Sequence, residues 1–361
     1  MAANVTIARR RARLAGGFVP QVVAAAPSSE PHVIAEIRWF PLREPVSGNR
    51  YAMVRVKTGS GLTGWGECAQ ASGPETKALE KEWIGRPATL YAAIDASTPL
   101  AGALDMAMLD ILGKACRAPV CRVLGGPTRN KIRAFTDSAA APGFHAVAVR
   151  VPPPAARNQG RAYQDQVHAL LKELGEGRDF VLDGHGRLTP SDAASVAATV
   201  ESSHPLWFDE PCSVSNLEAL RKISAQAVTP LGFGRGIGDP GFFQTLLREG
   251  LVDVVRPDIS VHGITGARRI AVLAETYYVA IAPHHDGGPV ATAAALHLAA
   301  SVPNFFIQHV PYPEDAADRA MRAAIVSAGL ETPRDGFLDL PRAPGLGIDV
   351  NEAALEKYRA A

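Results

Sequence analysis

The chain has few of the residues that mark several kinds of protein. Its 361 residues include only 4 cysteines, which form neither a Cys-x-x-Cys pair nor a dense framework, and this argues against a zinc cluster or a disulfide scaffold. No run of about 18 or more apolar residues occurs, so the sequence predicts no spanning helix. Lysine plus arginine (37) balances aspartate plus glutamate (36), so no overall field recruits nucleic acid or an anionic membrane. Small molecules are the expected partners.

The N-terminal extension, residues 1–31, differs from the rest of the chain. It contains no acidic residue before Glu30, and arginines occupy positions 9, 10, 11 and 13 ahead of a weakly apolar segment that ends at Ala24–Ala26. This pattern is similar to a twin-arginine export signal, which predicts a periplasmic protein whose fold begins near His32. A disordered basic tail on a cytoplasmic protein is the alternative, because a proline and a glutamine interrupt the apolar segment. Both interpretations stay open.

Short apolar runs in the second half of the chain end in ionisable residues at a regular spacing. Asp183 and Asp209 are separated by 26 residues, and so are Asp209 and Arg235. Stretches of helical period lie between these runs, and eight short β-rich segments can be counted, which predicts a parallel (β/α) barrel. Catalytic groups of such barrels lie at the C-terminal ends of the strands. The predicted strand ends hold Arg150, Asp183, Asp209, Arg235, Asp258, His284 and His309.

A second, α+β domain is predicted ahead of the barrel. Alternating runs at 33–40 and 51–58 indicate an antiparallel meander, and an apolar helical face follows at 100–116. These features place a capping domain at residues 32–127, the barrel at 128–330, and a C-terminal segment, 331–361, that returns to the capping domain.

Eight short motifs follow one another in order along the chain. They are 103–114, Leu124-Gly-Gly126, Asp183-Gly-His-Gly-Arg187, Phe208-Asp-Glu-Pro211, Arg256-Pro-Asp258, Ala282-Pro-His284, Phe306-Ile-Gln308 and Pro344-Gly-Leu-Gly347. Together they resemble one family, the mandelate racemase and muconate lactonising branch of the enolase superfamily. Within that branch, Asp183 and His185 with the following Gly-Arg-Leu-Thr-Pro are most similar to the sugar-acid dehydratases of galactonate and mannonate type. The resemblance implies a modified (β/α) barrel with an α+β cap, a small carboxylate substrate, and a homo-oligomer.

The same resemblance implies one Mg²⁺, held by carboxylates at the ends of the third, fourth and fifth barrel strands. The matching positions are Asp183, Asp209 and Arg235. Arginine has no acceptor lone pair and stays protonated, so it cannot be a ligand. We expect Arg235 to bridge Asp183 and Asp209 and to replace the metal in part. A salt bridge without chemistry is the alternative.

Two other interpretations of the cofactor follow from the same residues. One is that the protein uses no metal. The other is a transition ion such as manganese, iron or zinc, held by Asp183, Asp209, His185 and His309, because nitrogen ligands suit such ions better than magnesium.

The resemblance also assigns acid–base roles. It implies that His284 is the general base and that Asp258 orients it, an arrangement that raises the basicity of the free ring nitrogen. His185 would help a hydroxyl leave. His309 stands where the family commonly has a glutamate that hydrogen-bonds the developing enediolate. Arg150 stands near the Lys-x-Lys position of the racemases, and we expect it to hold the substrate carboxylate. A solvated strand end without a role in binding is the alternative for Arg150.

The predicted function is therefore that of a lyase or isomerase which removes the proton next to a carboxylate of a hydroxy acid or sugar acid. Arg235 and Arg150 would bind the anion. The alternative is a non-catalytic descendant of the family that binds a carboxylate ligand without converting it.

Overall fold

The N-terminal part of the fold is a three-stranded antiparallel sheet covered by helices. The computed structural model describes residues 31–71, 73–94, 98–153, 160–174, 177–326 and 329–360, so all but the last residue of the N-terminal extension 1–31, with its predicted export signal, lies outside the described residues. The strands are β1 (Ile34–Arg43), β2 (Arg50–Thr58) and β3 (Thr63–Cys68), in the order β1-β2-β3. The helices are α1 (Gly73–Trp83) and α2 (Pro99–Ala115), with a 3₁₀ turn at Ala88–Ala93 between them.

Helix α2 lies directly on strand β3 because two glycines of β3 leave room for it. A Cβ atom at Gly66 would come within 1.8 Å of the Ala103 carbonyl oxygen, and one at Gly64 within 2.0 Å of the Ala107 carbonyl oxygen. The apolar face predicted for this helix packs on the sheet, and its buried side chains form the core of the capping domain. A larger residue at either glycine would separate the helix from the sheet.

Eight parallel strands form the barrel, preceded by the short helix α3 (Val120–Val123). A parallel bridge between Ile281 and Phe305 joins the last two barrel strands. The last strand also pairs with the first barrel strand, and the ring is therefore closed. Apolar side chains fill the interior, among them Phe135, Val181 and Trp207. The strands are β4 (Lys131–Thr136), β5 (Ala146–Arg150), β6 (Asp179–Asp183), β7 (Phe208–Asp209), β8 (Leu231–Phe233), β9 (Val254–Val255), β10 (Ala280–Ile281) and β11 (Gln308–His309).

Helices alternate with the barrel strands from β5 onwards. No helix lies between β4 and β5, where the described residues form turns only. Several helices begin at a capping side chain, such as Asp258, which accepts the Ser260 N–H at the start of its helix. The helices are α4 (Gly160–Leu174), α5 (Pro190–Val200), α6 (Leu217–Gln226), α7 (Pro240–Arg248), α8 (Ile259–Glu275), α9 (Pro289–Ala299) and α10 (Ala316–Ile325), with a 3₁₀ turn at Glu201–Ser203.

The C-terminal segment contacts both parts of the molecule. Strand β12 (Phe337–Asp339) pairs antiparallel with β4, so this stretch adds to the barrel sheet instead of passing straight to the cap. The chain then reaches the capping domain, where Leu42 of β1 forms a bridge with Arg359, and Glu352 of helix α11 (Glu352–Lys357) pairs with Arg55. None of the described helices is both long and apolar enough to cross a membrane.

Candidate active site

The ionisable residues predicted at the strand ends all lie at the C-terminal mouth of the barrel. Four of them are the last residues of their strands: Arg150, Asp183, Asp209 and His309. The other three lie two or three residues beyond the last hydrogen-bonded strand residue, on the loops that follow: Arg235, Asp258 and His284. Parallel strands bring their carboxyl ends to one face, so these residues share one rim.

A cavity of about 280 Å³ opens at this mouth. His185 follows β6 and His284 follows β10, and these two strands are four places apart in the ring of eight. The two histidines therefore stand on opposite sides of the cavity. It is lined by His185, Glu210, Arg235, Gly236, Asp258, His284 and Asp286.

Arg235 bridges the two acids of the predicted metal site. Its Nη2 donates to Asp183 Oδ1 in a short contact, its Nη1 lies 3.5 Å from Asp183 Oδ2, and its Nε lies 3.2 Å from Asp209 Oδ2. Burial alone would lower the pKa of the guanidinium, but the charges of Asp209 and Asp183 outweigh it and the pKa is raised. The side chain is 16% exposed, so one part of it still faces the cavity.

A second arginine holds Asp209 from inside the barrel. Arg256 is almost fully buried, and its Nη1 donates to Asp209 Oδ2 at 2.5 Å. The Trp207 Nε1 donates to Asp209 Oδ1 at 2.9 Å. The Arg256 guanidinium lies 5.4 Å from the Phe135 ring and 5.3 Å from the Trp207 ring, within the range of cation–π contacts. The Asp209 carboxylate is thus already fully engaged.

These contacts do not fit the magnesium implied by the family resemblance. The Asp183 carboxylate accepts hydrogen bonds from the Arg235 guanidinium and, at 2.8 Å, from the backbone N–H of His185. The Asp209 carboxylate contacts two arginines and accepts a hydrogen bond from a tryptophan. The guanidinium of Arg235 stands against both carboxylates, at the position from which a third carboxylate would complete the oxygen cage that magnesium requires. In this arrangement arginine side chains, and not a metal ion, neutralise the two carboxylates.

Glu210, next to Asp209, anchors the loop that carries Arg235. Its Oε1 accepts the N–H groups of Gly234 at 2.7 Å and Arg235 at 2.9 Å, and its own backbone has a φ of 42°. Burial and the charge of Asp209 raise the pKa of its carboxyl group. Glu210 therefore positions Arg235, and the Glu210 side chain also forms part of the cavity wall.

His185 and Arg150 lie on the Asp183 side of the mouth. His185 Nδ1 is 3.9 Å from Asp183 Oδ2, and its backbone has a φ of 51°, in the left-handed region. Burial lowers the pKa of His185, the negative charge of Asp183 raises it, and the positive charge of Arg235 lowers it further. Arg150 is exposed, and its Nε lies 3.8 Å from Asp183 Oδ2 at the edge of the cavity.

His284 is held between two carboxylates on the opposite side. Its Nδ1 lies 3.3 Å from Asp258 Oδ2, and its Nε2 lies 3.3 Å from Asp286 Oδ1. Burial would lower the pKa of His284, but the hydrogen bonds to Asp258 and Asp286 raise it to about 9. Asp258 also caps α8, which fixes its carboxylate. His284 is thus an imidazolium at neutral pH as long as Asp286 stays in contact.

His309 is next to His284 and belongs to the same cluster. The two rings stack in parallel, with centroids 4.9 Å apart, and His309 Nε2 lies 2.9 Å from Asp137 Oδ2. The predicted transition-metal set of Asp183, Asp209, His185 and His309 does not assemble, because both acids are paired with arginines and His309 is paired with Asp137. Among the described residues, the metal-ligand set that comes together is instead His284, Asp286 and His309.

Four residues of the site were not predicted from the sequence, namely Glu210, Arg256, Asp286 and Asp137. Glu210 and Arg256 lie inside quoted motifs, and their place beside Asp209 and Asp258 was a usable signal. Asp286 stands two residues after His284, the same offset that joins Asp183 and His185, and a side chain two residues on points to the same face of an extended segment. Asp137 carried the same signal as the other rim residues, because it directly follows the end of β4.

Comparisons with known proteins agree with the fold and with the motifs. A family model described as enolase C-terminal domain-like matches residues 131–354. A D-galactonate dehydratase family member of Streptomyces bingchenggensis is 30% identical, over 86% of this chain and 90% of that protein. A D-gluconate dehydratase of Thermoproteus tenax is 26% identical, over 91% of this chain and 74% of that protein. The crystal structure of a mandelate racemase/muconate lactonizing enzyme from Jannaschia sp. CCS1 is 27% identical with a TM-score of 0.78, over 91% and 98% of the two chains.

Proposed function

We propose, since this chain belongs to the enolase C-terminal domain-like family, that it is a carbon–oxygen lyase that dehydrates a hydroxy acid or sugar acid. The observation that carries the proposal is the cavity with His284 on one side, His185 on the other and Arg235 between them. The relatives named as D-galactonate, D-gluconate and D-xylonate dehydratases support this substrate class.

The proposed reaction has two steps. The neutral His284 Nε2 takes the proton from the carbon next to the substrate carboxylate, and the electron pair of that C–H bond moves onto the carboxylate oxygens. The pair then returns to form a carbon–carbon double bond while the C–O bond on the adjacent carbon breaks. The leaving hydroxyl takes a proton from the imidazolium form of His185, which the Asp183 carboxylate stabilises, and departs as water, so that His185 becomes neutral. The enol product becomes a 2-keto acid, so no oxidant or reductant is needed.

Fixed arginines supply the positive charge in this proposal. Arg235 uses its Nε and one N–H on each terminal nitrogen for Asp183 and Asp209, which leaves two N–H groups for an anion at the cavity. A preorganised cation of this kind stabilises charge that develops on the substrate oxygens. Arg150, exposed at the rim, is placed to bind the carboxylate as it enters.

His284 needs to lose its resting proton before it acts as a base. The Asp286 side chain that faces its Nε2 is 80% exposed, so it has room to turn into solvent when substrate enters. Without that carboxylate, the pKa of His284 falls toward the ordinary value for histidine, about 6.5, and the neutral form becomes available.

The test is to incubate the full-length protein with D-galactonate, D-gluconate and D-xylonate in D₂O, with and without EDTA. Loss of water is followed by mass spectrometry, and exchange of the α-proton by nuclear magnetic resonance. We expect turnover that persists in EDTA. His284→Gln is expected to abolish both signals, whereas His185→Gln keeps α-proton exchange and loses dehydration.

Other outcomes of the same incubations would favour the remaining interpretations. Turnover that requires added Mg²⁺ would show that Arg235 does not replace the metal. Binding of an acid without α-proton exchange by the wild-type protein, across the panel, would favour the non-catalytic carboxylate-binding descendant.

A further inference from the structure

Three carboxylates at the mouth of the barrel surround His284 and His309 and have no lysine or arginine as a partner among the described residues. Asp137, Asp258 and Asp286 each pair only with a histidine. Across the described residues, no lysine or arginine forms an ion pair with any of the three. The contrast with Asp183 and Asp209 is clear, because Arg235 and Arg256 already neutralise those two acids. An added cation would therefore be favoured at the histidine pair.

The donor atoms of this cluster are close enough to share an ion. One ring nitrogen from each histidine and one oxygen of Asp286 lie within 4.8 Å of one another. His284 Nε2 and Asp286 Oδ1 are 3.3 Å apart. Two ligands at about 2.0–2.2 Å from a tetrahedral zinc ion lie about 3.3–3.6 Å from each other. The exposed side chain of Asp286 has the freedom to adjust toward the third donor.

Carboxylates also orient both histidines. Asp258 contacts Nδ1 of His284, which fixes the tautomer that leaves Nε2 for a ligand role. Asp137 contacts His309 Nε2 at 2.9 Å, and His309 Nδ1 is buried without a hydrogen-bond partner among the described residues. Metal-bound histidines commonly have an outer carboxylate that holds the ring in place.

We propose that His284, His309 and Asp286 bind a first-row transition ion such as Zn²⁺. Two imidazoles and one carboxylate suit zinc, cobalt or iron, whereas magnesium prefers oxygen donors alone. The site lies on the loops after β10 and β11, across the mouth from Asp183 and Asp209, which the family resemblance implies as magnesium ligands. Its geometry does not depend on the proposed reaction.

Only the effect of the ion on turnover rests on the proposed function. An ion on His284 Nε2 occupies the lone pair that would remove the α-proton. Bound zinc is therefore expected to inhibit dehydration, and a chelator to restore it.

The test measures metal binding directly. Full-length protein is stripped with EDTA and dialysed, and calorimetric titrations are then run with Zn²⁺ and with Mg²⁺. We expect about one equivalent of zinc to bind and no heat from magnesium. In Asp286→Asn and His309→Gln the zinc affinity should fall by about tenfold or more, the effect that loss of even an outer partner produces at metal sites.

His185→Gln is the matched control, because it removes a histidine from the same mouth but outside the set. Its zinc affinity should equal that of the wild type. Circular dichroism checks that each variant is folded, and the exposed Asp286 makes Asp286→Asn the safer of the two. Absence of zinc binding by the wild type overturns the proposal, and so does zinc binding that survives in both Asp286→Asn and His309→Gln. Because binding is measured without substrate, an inactive protein that binds zinc would reject the proposed function and keep this site.

Discussion

Arg235 shows how one side chain can change the chemistry available to two carboxylates at the mouth of a barrel. Its strand and the neighbouring strands bring Asp183 and Asp209 together, as the barrel topology requires. Two buried carboxylates repel each other unless a cation lies between them. A guanidinium provides that charge through directed N–H donors, and its planar shape suits pairing with carboxylates. The cation thus becomes part of the chain.

The first prediction at the residue scale concerns Arg235→Glu. This change removes the fixed cation and supplies a third carboxylate beside Asp183 and Asp209, which makes the oxygen ligand set that Mg²⁺ prefers. We expect the variant to gain Mg²⁺ binding, seen as a rise of the melting temperature on addition of MgCl₂. Arg235→Gln is the control, since it removes the cation without adding an acid. Equal responses of both variants to MgCl₂ would contradict the prediction.

A second residue-scale prediction concerns pH. Hydrogen bonds to Asp258 and Asp286 raise the pKa of His284 to about 9, against the effect of burial. If neutral His284 is the base, the rate of α-proton exchange, which does not require the acid His185, rises with pH up to about 9, because deprotonation of the free enzyme produces the active form. Asp286→Asn removes one carboxylate and should move this rise to lower pH. A profile that is the same in Asp286→Asn and the wild type would refute the role of Asp286.

At the scale of elements, helix α9 is held in place by an acid from the other domain. Glu67, at the end of β3, is fully buried, and its carboxylate accepts the N–H groups of Gly288, Val290 and Ala291 at the N-terminus of α9. This end of the helix directly follows the loop with His284 and Asp286. The capping domain thereby helps to position the candidate catalytic loop.

Glu67 predicts a pH dependence of stability. Burial raises the pKa of its carboxyl group to about 7, although the hydrogen bond from Gly288 lowers it. The folded state therefore holds this proton more tightly than the unfolded state, and stability is lost as pH rises from about 4.5 to 7. We expect the free energy of unfolding of wild type to fall relative to that of Glu67→Gln over this range, by at most about 1.4 kcal/mol per pH unit. Urea titrations at pH 5, 6 and 7 measure it, and parallel curves for the two proteins would disprove it.

At the scale of the whole molecule, one buried arginine joins three separate parts of the chain. Arg322 of α10 donates from Nε to Glu44 at 2.7 Å and from Nη1 to Glu331 at 2.9 Å. Glu44 follows β1 of the cap, and Glu331 lies in the C-terminal segment. The Nη2 of Arg322 also donates to the Gly287 carbonyl oxygen at 3.0 Å, next to the loop of the candidate site.

Loss of this connection should destabilise the whole fold. Arg322→Met leaves the carboxylate of Glu44, which is 0% exposed, without its cation, and breaking a buried pair from one side costs about 3–5 kcal/mol. Guanidinium denaturation should report this loss. Arg221→Met is the matched control, because Arg221 also pairs with two acids, Glu218 and Glu249, but on the surface. Similar losses for the two variants would contradict the expected effect of burial.

The sequence by itself determined the barrel, its cap and the family, which the structure and the comparisons confirm. Apolar runs of strand length recurring about every 26 residues repeat a local unit, and the topology of that unit puts every strand end on one face. The sequence also predicted that His185, Arg235, Asp258 and His284 lie at the mouth of the barrel, and in the structure they line one cavity. These predictions needed only chain-local patterns and the geometry of the barrel.

The tertiary structure alone decided which partners those residues take. The pairing of Asp209 with Arg256, of His309 with Asp137, and of Glu67 with α9 joins residues that are distant along the chain. Nothing in the spacing of the sequence indicates such pairs, because burial and charge compensation depend on how loops pack. For the same reason, the alternative transition-metal set of Asp183, Asp209, His185 and His309 does not come together among the described residues, whereas His284, Asp286 and His309 do. The periodicity of the sequence predicts which residues lie at the strand ends. The packing of the folded chain decides which charged partner each of these side chains contacts.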